Sequence, residues 1–201
     1  MDINNDNRDD VLDVLAEDNL ETGSSKSIEK TIKEYAISIA ICVIIAIIIK
    51  TFVVARADVE GRSMFPTLKE KDVLFINRIS SFSKNYKRGE IVIFESHNAH
   101  DDIFIKRVIA VAGDEIEIRD NKVYLNGQEL QEDYLPKDTI TEPGTFMGLN
   151  EKYKVPEGYI FVMGDNRSES DDSRNFGPVS LDQVQGKAFM RVFPLKDFKF
   201  F

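Results

Sequence analysis

The chain has 201 residues, of which 42% are hydrophobic and 30% charged, which suits one folded domain with an appended segment. Its net charge of -9, with no cluster of Lys and Arg interleaved with aromatic residues, excludes the usual pattern of a nucleic-acid-binding protein. The single cysteine, Cys42, excludes a disulfide framework and a thiolate metal site.

The N-terminal region, residues 1–34, contains 10 acidic and 4 basic residues and no aromatic side chain. Such a segment cannot bury enough apolar surface to offset the entropy lost on folding. We therefore predict a largely disordered acidic tail and assign no chemistry to it.

A long apolar run follows over residues 35–55, YAISIAICVIIAIIIKTFVVA, with one charge, Lys50, near its end. As a helix, these 21 residues are long enough to cross about 30 Å of hydrocarbon. The run predicts a single transmembrane helix, although Lys and Arg are nearly balanced on its two sides and do not decide its orientation. A cleaved secretory signal ending at Ala55-Arg56-Ala57 is the alternative. It is disfavoured because the preceding region is long and acidic and the run exceeds the usual apolar core of about 7 to 15 residues.

Beyond Arg56 the pattern changes to short alternating or apolar runs separated by turn residues, which indicate β-strands. These runs are DVLFINRIS, GEIVIFES, DIFIKRVIAVAG, DEIEI, KVYLNGQEL and GYIFVMG, and residues 186–201 predict a last strand that closes the sheet. Residues 115–130 predict a meander, whereas residues 131–156, with three prolines, predict an irregular excursion. The prediction is a mainly β domain over residues 56–201.

Ser63 lies in the segment 59–68, VEGRSMFPTL, which is predicted to end a strand and turn at once. Gly61 permits an unusual backbone angle there and Pro66 fixes another. The segment has no G-x-S-x-G elbow, and no histidine is placed to act as a base, so the usual Ser/His/Asp triad is excluded. Taken alone, the segment predicts only a serine in a loop.

The two histidines fall in the segment 97–102, HNAHDD, which could in principle bind a metal. The segment lacks a helical H-E-x-x-H context, and a solvated loop between two strands is favoured. No metal or cofactor is predicted.

Lys106 lies in the middle of the strand predicted over residues 102–113. In period-two alternation it shares a face with Phe104 and Val108, an apolar environment that disfavours its charged form. A neutral amine can accept the proton of a serine hydroxyl. By itself this segment favours a solvent-facing lysine on an edge strand.

The segment 164–179, GDNRSESDDSRNFGPV, is dense in polar side chains and directly follows an apolar strand. A free surface loop would have a similar composition. Alternating acids and arginines can also brace a catalytic lysine and neighbouring strands through charge-assisted hydrogen bonds.

Together the three segments resemble the type I signal peptidases. The motifs S-M-x-P-T-L, K-R-V-x-x-x-x-G-D and G-D-N-R-x-x-S-x-D-S-R occur in that order. The resemblance implies a β-rich signal-peptidase-like catalytic domain on a single N-terminal transmembrane helix, in the compact form found in Gram-positive bacteria. It covers nearly all of residues 35–195 except the excursion at 131–156.

The resemblance further implies a membrane-bound serine endopeptidase that removes signal peptides from exported preproteins, cutting after small residues at A-x-A-like sites. Residues 1–34 would lie in the cytoplasm and residues 56–201 outside the plasma membrane. The implied partners are signal peptides, the lipid bilayer and the secretion translocon.

By resemblance, Ser63 would be the nucleophile and an oxyanion donor through its backbone N–H, Lys106 the general base, and Ser170 the hydroxyl that orients the lysine amine. Two ion pairs would hold the polar loop against the strand, namely Asp172 with Arg174 and Asp165 with Arg107. Shallow apolar pockets would select small substrate residues. Their walls are assigned to Val59, Met64, Leu68, Phe104 and Ile105.

Gly61 is a departure from the longer relatives, which carry a serine there as a second oxyanion donor. We expect Gly61 to be extended, so that a serine would be tolerated. Three alternatives stay open: an inactive relative that binds signal peptides, a self-cleaving repressor-type Ser/Lys protease, and an esterase. The presence of both Ser63 and Lys106 disfavours the first, and the absence of a preceding DNA-binding domain disfavours the second.

Overall fold

The computed structural model describes residues 30–47, 50, 53–96 and 102–201. The chain divides into two compact units, Met1–Ile49 and Lys50–Phe201. In the first unit, residues 30–47 form helix α1, which includes residues 30–34 of the predicted tail. Within the described ranges, no helix has both the length and the apolar character that crossing a membrane requires. The rest of the tail and residues 48–49 and 51–52 of the predicted span lie outside the described residues.

Strand β1, Val54–Asp58, overlaps the predicted span, whose last two residues, Val54 and Ala55, belong to the strand. Ala55 and Ala57 pack against a core cluster, whereas Arg56 and Asp58 form an exposed ion pair on the other face. This alternation is typical of a half-buried strand. The start of this strand cannot be predicted from the sequence pattern, because its first residues are apolar and continue the preceding run.

The second unit is mainly β, as predicted. After β1 its strands are β2 Val73–Asn77, β3 Ile91–Glu95, β4 Ile103–Val111, β5 Glu115–Arg119, β6 Lys122–Leu125, β7 Gln128–Glu129, β8 Lys152–Lys154, β9 Tyr159–Met163, β10 Val179–Ser180, β11 Val184–Phe193 and β12 Lys199–Phe200. Its α-helices are α2 Ile79–Ser83 and α3 Ser173–Phe176.

The strands form two antiparallel sheets. The larger has eight strands in the order β1-β2-β11-β3-β4-β9-β10, with β12 paired to β11, and the smaller has the order β7-β6-β5-β8. The last long strand, β11, thus joins β2 to β3 inside the large sheet. The predicted meander corresponds to β5, β6 and β7.

Two local predictions are wrong. The run DVLFINRIS is not one strand, because β2 ends at Asn77 and α2 begins two residues later. The Asn77 side chain accepts a hydrogen bond from the Ile79 N–H at 2.9 Å, and its carbonyl accepts one from Ser80 Oγ at 2.6 Å, which together turn the chain. The excursion at 131–156 is not wholly irregular either, because β8 pairs with β5 and packs Tyr153 against the core.

Candidate active site

The turn that carries Ser63 is closed at its base and anchored by apolar side chains. The Val59 N–H donates to the Asp72 carbonyl at 2.8 Å, and the Lys71 N–H donates to the Val59 carbonyl at 2.9 Å. Met64 and Leu68 are buried in the core cluster beneath. A buried ion pair adds to these contacts, because Asp72 Oδ2 binds Arg191 Nη1 on β11 at 2.8 Å. Residues 59–72, which we call the nucleophile turn, are therefore held by backbone hydrogen bonds, packing and one ion pair.

Gly61 lies in the nucleophile turn with a φ angle of +77°, which contradicts the extended conformation expected from the sequence. Residues with a Cβ rarely adopt this region. A Cβ built on Gly61 meets no atom within 4 Å, so the backbone angle, and not the available space, requires glycine here.

Lys106 reaches Ser63 directly, and its Nζ donates a hydrogen bond to Ser63 Oγ at 2.8 Å. The lysine is 4% exposed and its Nζ lies 5.0 Å from the centre of the Phe104 ring, on the face that alternation predicted. Burial lowers the pKa of Lys106 to about 8, although the carboxylates of Asp172 and Asp171 oppose the shift. With that pKa about one tenth of the amine is neutral at pH 7, so the group can accept a proton from a bound hydroxyl.

The polar loop, residues 164–174, holds the backbone of Ser63. The Asn166 N–H donates to the Ser63 carbonyl at 2.9 Å, and Asn166 Nδ2 donates to the Arg62 carbonyl at 3.2 Å. Ser170 is also placed here, because a Cβ built on Gly164 would overlap with both Ser170 Oγ and the Ser63 carbonyl. The Ser170 hydroxyl is buried and makes no hydrogen bond with the described residues, so its expected bond to the lysine amine is not formed in this structure.

Both expected ion pairs are present, but they connect different elements. Arg107 on β4 binds Asp165 in a bidentate manner, at 2.9 and 2.6 Å, and so joins the strand to the polar loop. Asp172, which is fully buried, accepts from Arg174 Nε and Nη2, both at 2.8 Å, and from the Gly164 N–H at 3.0 Å. This second pair closes the loop on itself.

A groove of about 900 Å³ runs past Ser63 and Lys106. Of the five residues expected to form its walls, Val59, Met64, Phe104 and Ile105 line it. Leu68 does not; it is fully buried beneath the nucleophile turn.

Two strand edges border this groove. β1 is the outermost strand of the large sheet, and the first half of β4 pairs with β3 alone, because its pairing with β9 begins at Arg107. Such edges present unpaired N–H and C=O groups to the groove, where an extended peptide can add as a further strand.

Other parts of the site were not anticipated. Arg167 of the polar loop forms a hydrogen-bonded group with Glu132, Tyr134 and Thr141. Three of them come from the excursion at 131–156, for which the sequence predicts no role, because isolated polar residues between prolines resemble an ordinary surface segment. Of the HNAHDD segment, residues 97–101 lie outside the described residues.

Comparison with known proteins assigns the chain to a family. Residues 32–193 match the family described as signal peptidase, peptidase S26. Signal peptidase IB of Staphylococcus aureus (strain MRSA252) is 37% identical over 185 residues, which cover 86% of this chain and 95% of the relative. Signal peptidase I of Bacillus caldolyticus is 35% identical over 183 residues, 88% of this chain and 98% of the relative.

Among solved structures, a signal peptidase I from Enterococcus faecalis V583 is 33% identical, with a TM-score of 0.41 over 51% of this chain and 96% of the other. The family match spans most of the chain, including the nucleophile turn, β4 and the polar loop. The chain therefore belongs to the signal peptidase family, peptidase S26, and is a serine endopeptidase of the type I class.

Proposed function

We propose that this enzyme removes signal peptides from exported preproteins by Ser/Lys dyad catalysis, with Ser63 as nucleophile and Lys106 as general base. The observation that carries the proposal is the 2.8 Å contact between Lys106 Nζ and Ser63 Oγ, made by a lysine that is almost fully buried. The low pKa of the amine supports the same roles, because an ordinary lysine would stay protonated at neutral pH.

In the proposed reaction, neutral Lys106 takes the Ser63 proton as Oγ attacks the scissile carbonyl carbon. The tetrahedral intermediate collapses, Lys106 returns the proton to the leaving amine, and an ester joins Ser63 to the signal peptide. Lys106 then takes a proton from water as the water attacks the ester, and Ser63 recovers its proton when the acid product leaves. The Ser63 N–H is the proposed oxyanion donor, and Ser170 the proposed positioning hydroxyl beside the dyad.

Substrate recognition follows from the groove. We propose that the residues before the scissile bond bind in extended form between β1 and the first half of β4, so that alternate side chains face the groove wall. Val59, Met64, Phe104 and Ile105 would leave room there for small side chains. This arrangement supports cleavage at A-x-A-like sites.

We also propose that residues 35–55 anchor the enzyme as a single-pass protein in the plasma membrane, with residues 1–34 cytoplasmic and the catalytic domain outside. The apolar side chains of α1, among them Ile39, Ile44 and Ile47, are exposed, as expected for side chains that contact lipid. The bilayer and the secretion translocon would then be partners.

One assay tests the activity. The full chain, solubilised in detergent, is incubated with a preprotein whose signal peptide ends in A-x-A, and the new N-terminus is sequenced. We expect a single cut after the second alanine, which Ser63→Ala abolishes. Binding without cleavage would instead favour an inactive relative, and turnover of simple esters but not of the preprotein would favour an esterase.

A further inference from the structure

Arg167 carries a buried charge whose ion-pair partner comes from outside the polar loop. Its side chain is 1% exposed, and the carboxylate of Glu132 binds both Nη atoms. Nη1 also donates to Thr141 Oγ1 at 2.8 Å, and Nε donates to the Gly164 carbonyl at 3.1 Å. A guanidinium this deeply buried requires a paired carboxylate, so the position of Arg167 depends on Glu132.

Arg167 is coupled to the nucleophile through its neighbour in the chain. Asn166, the preceding residue, donates to the carbonyls of Ser63 and Arg62. The Arg167 carbonyl in turn accepts from Arg174 Nη2 at 2.7 Å. A shift of Arg167 would therefore move the bond that holds the Ser63 backbone.

A second path leads from Glu132 to the strand that carries the base. The Tyr134 hydroxyl donates to Glu132 at 2.5 Å, and the Tyr134 ring lies 3.9 Å from the guanidinium carbon of Arg107. Burial, with the neighbouring Glu132 carboxylate, raises the pKa of Tyr134, so the hydroxyl remains a donor. Arg107 is adjacent to Lys106 and pairs with Asp165 of the polar loop.

The rest of the excursion packs against the same loop. The Phe146 and Met147 N–H groups donate to the Arg174 carbonyl, and the Glu142 carbonyl accepts from Arg174 Nη1 at 3.2 Å. Gly144 lies so close that an added Cβ would overlap with the Arg174 carbonyl. The segment therefore contacts the polar loop at Arg174 as well as at Arg167.

We propose that Glu132 is a positioning residue for the Ser63–Lys106 dyad, acting through Arg167 and Tyr134. It is not among the residues that line the groove, so it would affect the chemical step and not peptide binding. The inference rests on the proposed dyad catalysis.

The test compares Glu132→Ala and Glu132→Gln in the full detergent-solubilised enzyme, using a peptide with an A-x-A-like cleavage site. For Glu132→Ala we expect kcat to fall about 30-fold while KM changes less than about twofold, with Glu132→Gln intermediate because it retains an acceptor for Arg167. A loosened loop admits water to Lys106, so the midpoint of the rise of kcat/KM with pH should move upward by about one pH unit.

The matched control is Asp114→Asn. Asp114 is likewise a carboxylate paired with an arginine, Arg88, and is itself buried, but it lies just after β4 and is outside the groove. We expect this variant to lower the melting temperature while leaving kcat and the pH midpoint unchanged. If Glu132→Ala folds too poorly to assay, Tyr134→Phe keeps the ring over Arg107 and should lower kcat about threefold by losing the bond to Glu132.

Wild-type kcat and pH midpoint in folded Glu132→Ala would overturn the proposal, as would an equal loss of kcat in Asp114→Asn. A raised KM at unchanged kcat would also overturn it, because Glu132 would then act on binding. Ser63→Ala separates the two hypotheses. If it stays active, the dyad and this inference both fail; if it is inactive while Glu132→Ala is unaffected, only this inference fails.

Discussion

The nucleophile turn and the polar loop meet at the dyad, but they are stabilised by different forces. The nucleophile turn is held mainly by backbone hydrogen bonds at its base and by Met64 and Leu68 in the core, with one buried ion pair, Asp72 with Arg191, at its end. The polar loop has its conformation fixed by buried arginines and carboxylates. The turn should therefore respond mainly to changes in backbone angle and packing, whereas the loop, which depends on three ion pairs, should respond to the loss of a single charge.

The dyad itself should give the largest effect. Ser63→Ala and Lys106→Ala should each reduce cleavage by roughly 10⁴-fold or more, and the double variant should be no worse, because nucleophile and base act as a unit. Turnover is measured on a preprotein, with thermal melts as the folding control. Substantial turnover in folded Lys106→Ala would remove the lysine from the mechanism.

The protonation state of Lys106 should give the second-largest effect, a dependence of activity on pH. Because its pKa is lowered to about 8, kcat/KM should rise with pH and level off above that value. Between pH 8 and pH 6 the activity should fall by roughly 50-fold, since the neutral fraction decreases about tenfold per unit well below the pKa. A flat profile over this range would mean that Lys106 does not act as the base.

Loss of one carboxylate charge in the polar loop should lower both the stability and the activity of the enzyme. Asp172→Asn leaves Arg174 buried without its carboxylate, and we expect a loss of about 3 kcal/mol in the free energy of unfolding and a fall in kcat of about 30-fold. Glu129→Gln is the control, because its ion pair with Lys122 is exposed, lies outside the groove and should contribute at most about 1 kcal/mol. Denaturant titrations and steady-state kinetics measure both quantities. Equal effects of the two changes would contradict the contrast between loop and surface.

The activity should also depend on the positive φ angle of Gly61 in the nucleophile turn. Gly61→Ala and Gly61→Ser should both lower activity by about tenfold, because a side chain at a φ of +77° costs about 1–2 kcal/mol in the turn that carries Ser63. Leu68→Ala, a packing change in the same turn at a residue that does not line the groove, tests whether any destabilisation there has this effect. Activity equal to or above wild type in Gly61→Ser would show that the turn adapts and that a hydroxyl there is useful.

Much of the fold follows from local patterns, and the deviations have physical reasons. Strands β3, β4, β5 and β9 are predicted because alternation or apolar runs end at turn residues. The start of β1 is missed because Val54 and Ala55 are as apolar as the run before them. α2 depends on the side chain of Asn77 turning the backbone, and the order β2-β11-β3 depends on pairing between distant segments, which local patterns do not specify.

In the candidate site, Ser63 and Lys106 could be predicted from their residue types and motifs, because few kinds of side chain can serve as nucleophile or base. The backbone conformation of Gly61 could not be predicted, because glycine is compatible with both signs of φ. Glu132 could not be found from spacing. Its importance comes from the burial of Arg167, a property of the folded chain that the composition of residues 131–156 does not reveal.

The burial of Lys106 also links protonation to folding. Its pKa is about 8 in the folded protein and 10.5 in an exposed lysine, so between these values the unfolded chain binds more protons and stability rises with pH. Below pH 8 both states are protonated, and the folded domain is less stable by about 3 kcal/mol than it would be without this difference. The variant Lys106→Met, which places an apolar side chain of similar length here, should therefore unfold at a higher temperature than the wild type at pH 7 and should have no cleavage activity. The enzyme retains at this position a residue that its stability alone would disfavour.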